Sequence, residues 1–479
     1  MINVQKITMF ALVSCVLYTA ITFAESQVQN QEPNQPAYLN SIPPDKLKED
    51  LDFLFKTIEE VHPNIYAYTS KVEFDPMREQ LYKSLNQPIN RLEFYKLIAP
   101  VITSLKSGHT FIFPPVDEFS EHVKAGGKVF PLSLNWDGKN AILVNNYGPT
   151  NLPIGGTILS INRQDAGEVI SRLARYFPAE RRTTFRWQLE RDELLRPCIW
   201  LEYGPIESLD VRIRAIDESV NDYTIKFVTL DEIKAKESSD KKKNSYRDIA
   251  QYNAFLIKLN DWVPVEEIKK FCSEAFKEIH EQKVSNLIID IRNNPGGNSD
   301  CAEAFTEYLT EKPYRLFEEV KAKLSKQFCN RFGAKVSDEM MGTIFSKKVP
   351  LRQPKPNPLR FKGQTFLLIG VRSTSTSTAF AAAMKHFDIG ILVGEEPAEP
   401  LTCYGNAFDY MLPNCGLKAS SACQVYVFPG SKNDGRGVLP NYEVKQNPQD
   451  TTKGVDTVLE FTLNLIKEGG QFAQPKQER

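Results

Sequence analysis

A chain of 479 residues with a net charge of −1, 41% hydrophobic and 25% charged, reads as an ordinary soluble globular chain of two or three domains, long enough to bury a sizeable core. Near-neutral charge removes any electrostatic case for nucleic-acid binding. The cysteines and histidines show no metal-ligand spacing, so neither a metal nor another cofactor is expected.

In chain order, Lys6 precedes an apolar segment, Ile7 to Phe23, that ends in Thr22-Phe23-Ala24 before Glu25. A basic start, an apolar middle and small residues before the junction make residues 1–24 a secretory signal peptide, so the protein is expected to be periplasmic or secreted. The alternatives are an uncleaved membrane anchor, for which the run is about long enough, and lipid attachment at Cys15. The latter ranks lowest because apolar residues continue past Cys15. Loss of Cys15 leaves seven of the eight cysteines, an odd number that keeps at least one thiol unpaired within the chain. Cys415 and Cys423 flank an expected hairpin and form the expected disulfide. Glu25 to Tyr38, rich in Gln, Asn and Pro, is expected to be disordered.

Residues 40–115 read as a helical module. Leu47, Leu51, Leu54, Phe55 and Ile58 recur at helical spacing up to His62-Pro63, and two more helical segments cover Pro76–Leu85 and Leu92–Leu105. The pattern stops at Ser107-Gly108-His109-Thr110 and resumes as a short strand from Phe111. His109, one of five histidines, therefore sits on a glycine-containing turn. Residues 125–216 read as mainly β, with helices over Ala166–Tyr176 and Arg182–Leu195 and later strands over Ile199–Tyr203 and Leu209–Ile216. Residues 217–250, with Lys241-Lys242-Lys243, read as a hydrophilic linker.

Residues 251–468 read as repeated strand–helix–strand units, an α/β domain with a largely parallel sheet. A strand at Asn253–Ile257 is followed by an amphipathic helix, Val265–Gln282, and a second strand, Leu287–Ile291. That strand runs into Asn293-Asn294-Pro295-Gly296-Gly297, where adjacent glycines leave backbone N–H groups uncovered. A third strand, Thr365–Val371, breaks into six alternating hydroxyl residues, Ser373 to Thr378, then a helix, Ala379–His386, and a strand, Ile389–Val393. Hydroxyls at a helix N-terminus are the plain signature of capping. They also suit an activated serine, because free N–H groups and the helix dipole favour developing negative charge.

Taken together, Ser107-Gly108-His109-Thr110, Asp290-Ile291-Arg292-Asn293-Asn294-Pro295-Gly296-Gly297, the Ser/Thr turn before Phe380-Ala381, Val393-Gly394-Glu395 and Gly435-Arg436-Gly437-Val438-Leu439-Pro440-Asn441 resemble the tail-specific (C-terminal-processing) serine peptidases. The resemblance implies a ClpP/crotonase-like α/β catalytic domain behind an N-terminal helical module. It also implies a PDZ-like domain in the place of the mainly β residues 125–216. One branch of that family pairs its serine with a lysine. In that register the nucleophile, five residues before Phe380, is Ser375. The lysine would fall at position 400, which is Pro400, and Glu395 to Gly405 contains no lysine. The tricorn-like branch uses a histidine from the helical part and an acid near the Gly-x-Gly-x-x-Pro motif. His109 matches the first, and Asp434 stands where the branch typically has glutamate.

The resemblance thus implies Ser375 as nucleophile, His109 as base and Asp434 as orienting acid, with oxyanion donors from Gly296 or Gly297 and from Thr376. Tyr404 and Gly405 would shape a substrate pocket, and peptides or unfolded protein tails would be the substrates. Serine needs a base within hydrogen-bond reach, and histidine titrates near operating pH. A carboxylate on the other ring nitrogen fixes the tautomer. His62-Pro63 reads as a helix stop, and Arg292 as an anchor for the strand-end loop. The alternative function is a catalytically eroded member of the same fold that binds a peptide or apolar ligand, suggested by the missing lysine and by Asp434.

Overall fold

The computed structural model describes residues 40–236, 244–262 and 264–469. The expected signal peptide, the Glu25–Tyr38 segment and the Lys241-Lys242-Lys243 run lie outside the described residues. Among those described, no helix is long and apolar enough to cross a membrane. The chain forms two units. Among the described residues, one holds 40–236, 320–347 and 403–426, and the other holds 244–262, 264–319, 348–402 and 427–469.

In the first unit, helices span Pro44–Val61, Lys71–Ser84 and Arg91–Thr103. The stripe of Leu47, Leu51, Leu54, Phe55 and Ile58 is buried as its spacing predicts. Capping boxes at Ser70/Glu73 and Asn90/Glu93 start the second and third helices. The first helix stops at His62, because the residue before a proline is pushed out of the α region. Strands Leu132–Trp136, Ala141–Asn146, Thr157–Ile161, Ser208–Arg214 and Val220–Lys226 follow one another in an antiparallel sheet, with Gln164–Asp165 paired to Thr157–Ile161. The sheet and the N-terminal helices share one core, from Leu47 through Ile98 to Val211 and Ile225. The helical module and the β region are therefore packed as one body.

Two expectations are corrected here. Residues Ile199–Tyr203 are not a strand but the end of a helix, Asp192–Tyr203. Their bulky residues suit β structure, yet Leu194, Leu195, Cys198, Ile199 and Leu201 are buried at helical spacing, and burial decides. Residues 217–250 are not simply a linker. They hold the strand Val220–Lys226, a helix, Leu230–Lys236, and a strand, Ser245–Ile249. Val220–Lys226 lies at the edge of its sheet and buries only Ile225, which is why its composition is polar.

A second sheet of this unit orders Phe111–Ile112, Lys418–Val427, Glu319–Lys323 and Ile344–Lys348, with Thr402–Met411 also paired to Lys418–Val427. The hairpin expected around Cys415 is therefore present, but the disulfide is not: Cys415 and Cys423 are both free and buried. Cys415 lies in the turn, whereas Cys423 is well inside the returning strand. At ~3.3 Å per residue from Lys418 the separation far exceeds the ~7 Å limit between bridged Cα atoms.

The second unit is built on a six-stranded sheet in the order Tyr442–Glu443, Ile391–Gly394, Gln364–Ile369, Asn286–Asp290, Ala254–Lys258 and Ser245–Ile249. All pairs are parallel except the last, which is antiparallel. Phe255, Leu256, Leu287, Ile288, Phe366 and Leu367 are fully buried, as expected of strands covered on both faces. Asn286–Asp290 and Gln364–Ile369 are direct neighbours, with Ile288 opposite Phe366 and Asp290 opposite Leu368. This register brings the loops at their carboxyl ends together, where open α/β sheets place their binding crevice.

Candidate active site

The loop after Gln364–Ile369 turns sharply into the helix Thr376–His386, and Ser375 stands at the turn with φ 55° and ψ −122°. Such a backbone is strained for a residue with a side chain, costing about 1–3 kcal/mol. The six hydroxyl residues do not behave alike. Ser373, Thr374, Thr376, Ser377 and Thr378 are buried, and each is committed to a partner. Ser373 Oγ donates to Ile291 O at 2.8 Å, Thr374 Oγ1 to Pro295 O at 3.0 Å, Thr376 Oγ1 to Gly297 O at 2.7 Å and Thr378 Oγ1 to Ser373 O at 2.8 Å. Ser377 Oγ accepts from Trp262 Nε1 at 2.8 Å. Ser375 alone is part-exposed, and its side chain makes no capping bond. The capping explanation therefore fails for Ser375.

Gly296 and Gly297 face this turn with φ 104° and 140°. A Cβ on Gly296 would come within 2.6 Å of Ser375 Cβ and 3.1 Å of Thr376 N, so only glycine fits there. The Gly296 N–H is taken by Asn294 Oδ1 at 2.9 Å. The N–H groups of Gly297 and Thr376 have no partner among the described residues. Gly297 is buried and bridged to Trp262. Two uncommitted donors beside a part-exposed serine are the kind of arrangement that can stabilise an oxyanion.

The loop that lacks a lysine carries carboxylates instead. Glu399 Oε2 accepts the Ser375 N–H at 2.5 Å. Glu396 Oε1 accepts the Gly437 N–H at 2.6 Å, and Glu396 also pairs with Arg436 at 3.1 Å. Neither glutamate is marked in the sequence, because a carboxylate that accepts a distant backbone N–H carries no motif spacing. Asp434 is exposed, and its Oδ1 accepts the Arg436 N–H at 3.0 Å, closing a local turn. Arg292 is an anchor, as expected: it donates to both oxygens of Asp290, at 2.9 and 2.7 Å, and to both of Asp456, at 2.8 and 2.6 Å.

His109, Tyr404 and Gly405 belong to the first unit. Thr110 N–H donates to Ser107 O at 2.9 Å, closing the turn, and Phe111–Ile112 then pairs with Ser420 and Ala419. The Gly108 N–H donates to Glu180 Oε1 at 2.5 Å. The His109 ring is half-buried, and burial lowers its pKa to about 4 against the opposing influence of the Tyr404 backbone. The imidazole is thus neutral near pH 7, as a proton acceptor must be. The Tyr404 ring stacks on His62 with centroids 4.7 Å apart, and Tyr68 meets it edge-on. Gly405 leaves room for the Tyr426 ring, which a Cβ would approach to 3.2 Å.

No curated protein matches the chain. Among solved structures, mature CPAF is 13% identical, with 90% of this chain and 100% of that chain covered and a TM-score of 0.61. A CPAF mutant is 14% identical over 90% and 100% at 0.65. Mature CPAF complexed with lactacystin is 13% identical over 88% and 99% at 0.59. At these identities the likeness is one of fold. Residues 253–444, which hold the parallel sheet, the Gly296-Gly297 loop and the Ser375 turn, match peptidase family S41. The match covers the segment that carries the Ser375 turn, and over it the chain is similar to peptidase family S41, which supports a serine-type peptidase.

Proposed function

We propose that the protein is an exported serine peptidase that cleaves peptides or unfolded protein tails, with Ser375 as nucleophile, His109 as general base and Asp434 as the orienting acid. The observation that carries the reading is the state of Ser375: a strained, part-exposed serine whose hydroxyl makes no capping bond and has no partner among the described residues, amid five buried and committed hydroxyl neighbours. In this mechanism Ser375 Oγ attacks the scissile carbonyl and His109, neutral at pH 7, takes its proton. The N–H groups of Gly297 and Thr376 receive the oxyanion, each worth about 2.7–4 kcal/mol by the loss on removal. The imidazolium then protonates the leaving amine, and water repeats the cycle on the acyl-enzyme. Tyr404 and Gly405 shape the substrate pocket, and the β region over 125–216 serves as a PDZ-like holder for the substrate tail. Export rests on the signal-peptide pattern of residues 1–24.

A fluorophosphonate probe tests the centre, because only an activated serine labels. A single adduct mapped to Ser375 is the expected result. An adduct on Ser373 or Ser377 would break the register, and no adduct would favour the eroded, ligand-binding alternative.

A further inference from the structure

The His62 side chain does more than a helix stop requires, since Pro63 already ends the helix. Its ring is buried, with Nδ1 3.1 Å from Asn64 N and Nε2 3.1 Å from Ser107 Oγ. A backbone N–H can only donate, so Nδ1 accepts, and in a neutral ring Nε2 carries the proton. Burial first, and the Lys323 charge second, lower the His62 pKa to about 3, so the ring is neutral at working pH. The Nε2–H therefore donates to Ser107 Oγ. Ser107 Oγ in turn donates to Thr110 Oγ1 at 3.2 Å, and Thr110 Oγ1 also accepts the Ala422 N–H at 3.2 Å. Ser107 and Thr110 bracket His109 and are both buried. The His62 ring also stacks on Tyr404, with centroids 4.7 Å apart.

We propose that His62 is a positioning residue, which sets the His109 turn through Ser107 and Thr110. This rests on the reading of His109 as the base. The direction of each hydrogen bond follows from a single tautomer, so the network has one arrangement. His62 itself touches no reacting atom, being spent on Asn64 and Ser107.

The test follows fluorophosphonate labelling of Ser375 in the full chain, with the maximal rate, kinact, and the probe affinity, KI, resolved separately. His62→Phe keeps an aromatic ring for Tyr404 but removes the donor, His62→Gln keeps an N–H donor, and Ser107→Ala removes the receiving hydroxyl. The expected result is a kinact lower by about 10- to 100-fold for His62→Phe and Ser107→Ala, as for a catalytic group displaced by about an ångström. KI should be unchanged, His62→Gln should recover most of the rate, and the double variant should lose little more than either single change. Native kinact in Ser107→Ala, or losses that multiply in the double variant, would overturn the proposal. Ser107→Ala decides the matter if thermal melting shows His62→Phe to be unfolded. His109→Ala runs alongside. Native labelling there would sink the base assignment itself, whereas loss there with unaffected Ser107→Ala would sink only the positioning role.

Discussion

The backbone N–H of Ser375 donates to Glu399 Oε2 at 2.5 Å, and this bond ties the strained serine to a carboxylate from the loop after the next strand. Charge-assisted bonds of this kind are worth about 1.5–3 kcal/mol. Glu399→Ala should therefore cost about 2 kcal/mol in urea unfolding and slow fluorophosphonate labelling, because the elbow loses its restraint. Glu399→Gln keeps an acceptor oxygen and should retain most of both. Equal effects of the two substitutions would show that the carboxylate does not act through the Ser375 amide.

Gly296 offers a purely steric check. A methyl group there would meet Ser375 Cβ at 2.6 Å and Thr374 O at 2.8 Å, on a backbone with φ 104°. Gly296→Ala should lower labelling by at least ~10² and stability by about 1–3 kcal/mol. Labelling kinetics and a denaturant titration measure the two losses separately.

The base assignment makes the next prediction. His109→Ala should reduce hydrolysis by ~10³-fold or more while leaving the fold intact. Replacing any single lysine should do far less, and Asp434→Asn should fall between the two. An unperturbed histidine would give kcat/KM a rising limb near pH ~6.5. Burial moves the His109 pKa to about 4, so the limb should instead rise as pH increases through about 4. A limb at alkaline pH, with activity surviving His109→Ala, would require another base.

Stability should depend on the same histidines. His62 and His109 have folded-state pKa values lowered to about 3 and about 4. Between those values and the unfolded value near ~6.5 the unfolded chain binds more protons. Their contribution is therefore complete above pH ~6.5 and is lost as the pH falls towards 4. Chemical denaturation from pH 7 to 4 should show this loss, with a shallower slope in His62→Gln. An unchanged slope in that variant would mean that His62 is not buried neutral.

Export is tested by sequencing the N-terminus of the mature chain, which should begin near Glu25 in the soluble extracytoplasmic fraction. Met1 retained on membrane-bound protein would establish an anchor in place of a signal peptide.

The sequence alone determined the α/β class and the succession of strands, turn and helix in which Ser375 stands. Strands covered on both faces must be apolar throughout, so Leu287–Ile289 and Phe366–Ile369 announce themselves as short apolar runs. The glycines are legible for a related reason, since φ above 100° at Gly296 and Gly297 demands that residue type. Tertiary structure decided what periodicity cannot encode. Polar Val220–Lys226 is a strand because a neighbour pairs with it, and Ile199–Tyr203 is helical because of what it packs against. The free Cys415 and Cys423 follow from where a hairpin puts them. The supports of the site, Glu399 to Ser375 and His62 to Ser107, are single hydrogen bonds between residues 24 and 45 apart in sequence. Such bonds leave no repeat in a sequence, because one donor and one acceptor meet only after the chain has folded around them.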